Sequence, residues 1–196
     1  MNIKSLLLTV AAITILSGCA HPISLSPNID TITADKSAKP IPKNAGFVLT
    51  EATRTTEVTT PGGGGDKVSY HPYRDIEIAF YKMLDNVFDN VTKMKNGADA
   101  EVIAKNNVSY VITPTLVTNS SSPSPFTWPP TKFSIELTCS IADMNGKELT
   151  TLKVTGEGAA EFDEFKKDFS LSAKRAAEDA LRKMQKALLE APILRN

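Results

Sequence analysis

Residues 133–141 show a regular alternation of apolar and polar positions. Every second residue in this stretch is apolar, and the apolar set is Phe133, Ile135, Leu137, Cys139 and Ile141. A period of two predicts a strand with one buried face. It also places the Cys139 thiol in the core, as an inert group. Asn145-Gly146 then predicts a hairpin turn, so residues 148–158 return as the antiparallel partner.

Two longer stretches carry apolar residues three and four positions apart, which is the spacing of one helix face. The first runs from Arg74 to about Met94, and Asn96-Gly97 favours a helix end just beyond it. The second runs from about Ser170 to Ala191 and has many alanines on its inner side. Residues 99–106 predict a short additional helix.

Three further segments predict strands. Val- and Thr-rich sequence favours strands over residues 46–60 and 108–118, and residues 67–70 predict a short return strand after a flexible glycine-rich tip. Pro114 predicts a bulge or an edge within its strand. Together these elements predict one α+β domain over residues 45–196, with a mostly antiparallel four-stranded sheet and two main helices on one face.

The N-terminus has the composition of an export signal. Lys4 precedes an apolar run from Leu6 to Leu16, which is shorter than the ~20 residues that a membrane-spanning helix needs. The motif that follows, Leu16-Ser17-Gly18-Cys19, resembles the lipobox of bacterial lipoproteins, whose cysteine accepts a diacylglyceryl group. An ordinary secretory signal and an uncleaved membrane helix are the alternatives, and both fit the sequence less well.

We therefore expect a signal peptide over residues 1–18, acyl chains such as palmitate on Cys19, and an extended flexible tether over residues 19–44. The tether prediction follows from four prolines that interrupt regular structure, Pro22, Pro27, Pro40 and Pro42. Partial packing of Ile23 and Leu25 on the domain is the alternative. Two or more acyl chains anchor a protein stably. By resemblance to enterobacterial sorting, Ala20 after the cysteine implies the periplasmic face of the outer membrane rather than the inner membrane.

Charge and cysteine content exclude several classes of protein. Lys plus Arg and Asp plus Glu both number 22, which gives no basic surface for nucleic acid. The two cysteines are Cys19 and Cys139, and lipid on the first leaves no disulfide. His21 and His71 are the only histidines, and the spacing of these four residues fits no zinc site. We expect no metal and no cofactor apart from the covalent lipid on Cys19.

No motif predicts catalysis. The segment from Pro61 to Lys67 contains four glycines but lacks the spacing and the hydroxyl residue of a phosphate-binding loop. The acidic residues between 157 and 168 lie around a turn and are interleaved with Lys166 and Lys167, which indicates a solvated surface. His71 has no predicted nucleophile beside it. These observations predict a protein that is not an enzyme.

A serine- and proline-rich loop over residues 120–130 carries Phe126 and Trp128, the chain's only tryptophan. Aromatic side chains on a stiff loop are effective anchors for a partner because they lose little entropy on binding. The alternative is that Trp128 folds back and caps the end of the sheet. Phe126 and Trp128 are therefore candidate contacts for a partner.

The order of elements over residues 45–190 resembles a group of small envelope lipoproteins with an α/β sandwich, which includes the YajG-type lipoproteins, PelC, the CsgG-like lipoproteins and the N-terminal domain of TolB. Four segments carry the resemblance, and they are residues 74–76, 110–112, 143–147 and 154–158. The Arg74-Asp75 pair at the helix start is typical of the YajG type. The resemblance implies no catalytic residues to transfer.

The leading hypothesis is a non-catalytic binding or scaffold lipoprotein that assists an envelope complex, through a protein partner or self-association. An oligomeric subunit of an export apparatus is the alternative. An envelope hydrolase is less well supported, since the sequence lacks a recognisable catalytic set.

Overall fold

The computed structural model describes residues 20–195. The predicted signal peptide and Cys19 lie outside the described residues. In chain order the strands are β1 (His21–Pro22), β2 (Ile41–Val48), β3 (Val58–Pro61), β4 (Lys67–Tyr70), β5 (Phe88–Met94), β6 (Val108–Ser121), β7 (Lys132–Asp143) and β8 (Glu148–Ala159). The helices are α1 (Glu51–Arg54), α2 (Pro72–Asp85), α3 (Ala100–Lys105), α4 (Phe162–Phe165) and α5 (Leu171–Glu190), with 3-10 turns at Ile29–Thr31 and Pro192–Arg195.

The α+β class is confirmed, but the predicted sheet is wrong in strand number and direction. The main sheet has five strands in the order β5-β2-β6-β7-β8. β2 is parallel to both of its neighbours, and β6, β7 and β8 form the expected antiparallel meander. Helices α2 and α5 pack on one face and share its core. A small sheet of order β1-β4-β3 lies beside it.

The fifth strand comes from residues that the sequence assigned to the first helix. α2 ends at Asp85, and the chain turns at Asn86, whose side-chain amide donates to the Ile32 carbonyl and to the Gln185 side chain, both at 3.1 Å. Residues 88–94 then pair with β2. Apolar residues 87, 88 and 91 continue the helical spacing, so periodicity alone could not show that pairing with β2 ends the helix.

The predicted strand over residues 46–60 is in fact parts of two strands with a short helix between them. β2 begins earlier, at Ile41, and ends at Val48. The Thr50 side chain then accepts a hydrogen bond from the Thr53 backbone N–H at 3.1 Å and starts α1, since a threonine hydroxyl satisfies a free helix amide. β3 resumes at Val58. The pairing of β6 with β2 ends at Ile112, so at Pro114 β6 pairs with β7 only. Pro114 therefore lies at a free strand edge, which was one of the two predicted alternatives.

The structure corrects the tether prediction for residues 20–44, which pack on the domain. Leu25 and Ile32 are buried. The Leu25 N–H donates to the Asp75 carboxylate at 3.0 Å, and the Gln185 side chain donates to the Thr33 carbonyl at 2.9 Å. The segment therefore bonds to both α2 and α5. Two of its four prolines, Pro22 and Pro42, even lie within strands β1 and β2.

Helix α5 lies directly on strand β8. A Cβ atom added at Gly156 would lie 2.3 Å from the Ala176 carbonyl oxygen, and one at Gly158 would lie 2.0 Å from the Ser172 carbonyl oxygen. The alanines predicted on the inner side of the helix, Ala173, Ala177 and Ala180, are buried, and so is Ala176, which was not predicted there. Backbone therefore meets backbone here with no side chain between them.

The same contact lets α5 cover the free edge of β8. Asp179 accepts from the Glu157 N–H at 3.0 Å, and Lys183 donates to the Thr155 carbonyl at 2.8 Å. Arg175 donates to the Ala159 carbonyl at 2.7 Å. Burial raises the pKa of Asp179, but Lys183 and the Glu157 amide outweigh it and hold that pKa below its ordinary value. Charged side chains on an edge strand discourage pairing with another chain.

Replacing Gly156 by alanine is expected to destabilise the fold by about 3 kcal/mol, because the new methyl group meets helix backbone that cannot rotate away. Urea unfolding measures the change. Gly97→Ala is the matched control, since its Cβ would meet Val111 at an ordinary 3.5 Å. Similar losses for both variants would show that the close contact is not the cause.

Asp75→Ala is expected to loosen the N-terminal segment, because the Leu25 amide loses its acceptor at a cost of about 1–3 kcal/mol. Hydrogen exchange at the Leu25 amide is the measurement, and it should accelerate while exchange at core amides of α2 does not. Asp85→Ala on the same helix is the control, since Asp85 is exposed and pairs only with Lys82 in the described chain. Unchanged exchange at Leu25 would contradict this account.

Candidate functional site

The first described residues and the serine- and proline-rich loop meet at one end of the domain, where β6 ends and β7 begins. His21 and Pro22 pair in parallel with Val68 and Ser69 of β4. The Ile23 N–H continues this pairing by donating to the Ser69 carbonyl at 2.9 Å. The start of the described chain is thus fixed by backbone hydrogen bonds. We call this end of the domain the aromatic end.

Trp128 lies between two other rings at the aromatic end. It stacks on His21 with ring centroids 4.3 Å apart and an interplanar angle of 26°. Its centroid lies 4.9 Å from that of Phe169. Trp128 is half-buried and also touches the main core. In this position Trp128 caps the end of the sheet. Contact of Trp128 with a partner stays a prediction.

The glycine-rich tip of the β3–β4 hairpin supports the Trp128 loop. The Gly63 N–H donates to the Trp128 carbonyl at 2.8 Å, and the Gly64 N–H donates to the Ser124 carbonyl at 3.3 Å. A Cβ atom at Gly63 would lie 1.9 Å from the Thr127 carbonyl oxygen. The predicted hairpin is present, and its glycines allow the loop to lie against backbone.

Buried hydroxyl groups join the small sheet to β6 just below this end. Thr60 and Ser120 are hydrogen-bonded at 2.6 Å, and the Tyr70 hydroxyl lies 2.7 Å from the Thr118 hydroxyl and 3.2 Å from Thr60. Burial raises the pKa of Tyr70 above its ordinary value. These groups satisfy one another, so their role is to fix the small sheet. Sequence analysis missed this network because its members lie far apart in the chain.

Three exposed phenylalanines lie on segments that form or adjoin the aromatic end. Phe126 is 94% exposed, Phe162 is 63% exposed and Phe169 is 47% exposed. Phe126 stands on the Trp128 loop, and the other two lie in the connection between β8 and α5. Sequence analysis singled out Phe126 but missed Phe162 and Phe169. The available signal was a phenylalanine in every third or fourth position of a charged segment, residues 161–169.

The acidic residues of that connection form ion pairs on the surface, as the interleaved lysines predicted. Arg175 binds Glu164 at 2.7 Å and Lys174 binds Asp168 at 2.8 Å. The hydrogen bonds from Arg175 lower the pKa of Glu164 to about 2. The positive and negative groups are mixed, so the aromatic end has no strong charge of either sign.

A shallow groove of about 490 Å³ lies beside this end on the open face of the sheet. Polar side chains from β6, β7 and β8 line it, among them Asn119, Lys132 and Glu157. Cys139 is fully buried on the other face, and burial raises the pKa of its thiol to about 12. The thiol is therefore protonated and unreactive at neutral pH.

No group of three or more His, Cys, Asp or Glu residues in the range 20–195 has the geometry to hold a metal ion. No helix in the same range is long and apolar enough to cross a membrane.

No protein-family model matches the chain, and no curated protein matches its sequence significantly. Three solved structures illustrate its weak similarities. A Xanthomonas campestris protein of family DUF330 is 10% identical, with a TM-score of 0.45 and coverage of 87% of this chain and 90% of that one. A minor lipoprotein from Acinetobacter baumannii is 10% identical, with a TM-score of 0.43 and coverage of 75% of this chain and 92% of that one. The PelC dodecamer from Paraburkholderia phytofirmans is 12% identical, with a TM-score of 0.46 and coverage of 79% of this chain and 93% of that one. We transfer no functional residue from them.

Trp128→Ala is expected to lower the free energy of unfolding by about 2 kcal/mol, because His21 and Phe169 lose the ring between them. Urea unfolding followed by circular dichroism measures it. Phe126→Ala is the control and should change stability by less than about 0.5 kcal/mol, since its ring is almost fully exposed. A stable Trp128→Ala protein would show that the tryptophan is not a structural cap.

Proposed function

We propose that this chain is a non-catalytic, lipid-anchored lipoprotein of the bacterial envelope that serves as a binding or scaffold component of a larger complex. In this proposal, lipid on Cys19 holds it at the periplasmic face of the outer membrane. The observation that carries the proposal is the fixed position of His21, which is paired with β4 and stacked on Trp128.

The position of His21 bears on how an anchor would hold the domain. Cys19 is bonded to Ala20, and consecutive Cα atoms are about 3.8 Å apart, so the Cα atom of Cys19 lies within about 8 Å of that of His21. Acyl chains on Cys19 would start beside the aromatic end, without a long tether between lipid and domain. A short link of this kind would keep the aromatic end close to the membrane, as suits a scaffold.

A non-catalytic role is consistent with the chemistry of the described residues. The Cys139 thiol is buried and protonated. Two acidic residues beside strand β8 are engaged in structural contacts, since the Asp179 carboxylate accepts from the Glu157 backbone N–H and Glu164 pairs with Arg175. The resemblance to YajG-type envelope lipoproteins agrees with this role and stays a prediction.

An oligomeric export subunit is the second candidate, and the edge of β8 favours it. Helix α5 covers that edge only from Thr155 to Ala159. Toward the hairpin, the strand from Glu148 to Lys153 is the outermost strand of the described sheet. An uncovered strand edge can pair with another chain. Light scattering on the mature protein tests this candidate, and a monomer at all concentrations would contradict it.

Lipid attachment is tested by labelling cells with radioactive or alkyne-bearing palmitate. The wild-type chain is expected to take up label and to fractionate with membranes, whereas Cys19→Ser should do neither, because the hydroxyl cannot form the thioether. Cys139→Ala removes the other cysteine and should label like wild type. Label that persists in Cys19→Ser, or a wild-type chain without label, would overturn the proposed anchor.

A further inference from the structure

From the geometry of the aromatic end, we infer that it is a second membrane contact, in which Phe126 and Phe162 insert into the lipid interface beside the acyl anchor. The inference rests on the proposed lipid attachment at Cys19. It goes further, because it assigns the bilayer as the occupant of a specific protein surface and fixes the orientation of the domain on the membrane.

The start of the described chain identifies the bilayer as the occupant. The pairing of His21 with Val68 holds Ala20 at the aromatic end. A lipidated Cys19 is bonded to Ala20, so its acyl chains enter the membrane within about 8 Å of His21 along the chain. Any side chain that projects from this end is then brought to the membrane surface.

The exposed rings are concentrated where this membrane would lie. Among residues 20–195, the large apolar side chains that are at least 60% exposed are Ile78, Val117, Phe126 and Phe162. The two phenylalanines belong to the aromatic end, and Phe126 is the most exposed of the four at 94%. Transfer of an exposed phenylalanine ring from water into an apolar layer is favourable, because it removes apolar surface from water. Aromatic residues are also common in segments that lie in the membrane interface.

The loop that carries Phe126 is held in place before any membrane contact. Gly63 and Gly64 of the hairpin tip bond to the loop carbonyls of Trp128 and Ser124. Prolines at 123, 125, 129 and 130 further restrict its backbone. Insertion of a side chain from a rigid loop loses little conformational entropy, which favours binding.

The charges near these rings indicate that insertion is apolar rather than electrostatic. The Lys166 ammonium group lies 5.8 Å from the centre of the Phe162 ring, and it also pairs with Asp163. Lys174 pairs with Asp168. Because these two lysines are matched by nearby carboxylates, attraction to anionic lipid is weak, and the contact should form equally well on zwitterionic phosphatidylcholine.

Trp128 provides an internal probe, since it is the chain's only tryptophan and lies at this end. The lipidated full-length mature protein would be placed in phosphatidylcholine vesicles with or without bromine on the acyl chains, which quenches nearby tryptophan. We expect Trp128 emission to fall on brominated lipid. The double variant Phe126→Ser, Phe162→Ser should lower the ratio of docked to undocked protein by at least about tenfold.

Ile78→Ser is the matched control, because Ile78 is 70% exposed on α2, away from the aromatic end, and its loss should leave quenching unchanged. Both phenylalanine substitutions leave the His21 and Phe169 rings around Trp128 in place. Lipid on Cys19 with no quenching in the wild type would overturn this inference alone, and the rings would then face a protein. Equal quenching in the double variant would also overturn it. Absence of lipid on Cys19 would overturn the proposed function and this inference together.

Discussion

The contact between helix α5 and strand β8 at Gly156 and Gly158 determines much of this fold. Because no side chain separates the two backbones, the position of the helix along and across the strand is fixed within a narrow range. That position brings charged residues of α5 to the strand edge and brings the start of the helix to the aromatic end. Phe169 precedes the helix by two residues, and its contact with Trp128 therefore depends on where α5 sits.

The other half of the aromatic end depends on the small sheet. Hydroxyl groups of Thr60, Tyr70 and Ser120 hold β3 and β4 against β6, and β4 in turn provides the pairing partner for His21. Two separate sets of contacts thus converge on Trp128, one through α5 and one through the small sheet. The aromatic end keeps its arrangement only when both sets are intact, although few of the residues involved are exposed.

Local patterns predicted the elements that local patterns control. The alternation over residues 133–141 gave β7 and the burial of Cys139, Asn145-Gly146 gave the hairpin, and the alanine-rich stripe gave α5. Sequence could not show that residues 88–94 leave the helical pattern, because Phe88 and Val91 suit a helix face and a strand equally well. It also could not show that residues 20–44 pack, or that Phe162 and Phe169 join Phe126, because both depend on contacts between distant parts of the chain.

The strand order has a consequence for how the chain folds. β2 lies inside the main sheet, yet both of its partners, β5 and β6, come later in the sequence. In the small sheet, β1 likewise pairs with β4, which comes later in the sequence. Residues 23–39 bond to α2 and to the C-terminal helix. The N-terminal segment therefore cannot complete its contacts until later parts of the chain, including the C-terminal helix, are present. Such long-range pairing slows folding, and the apolar residues of β2 stay exposed until β5 and β6 have paired with it.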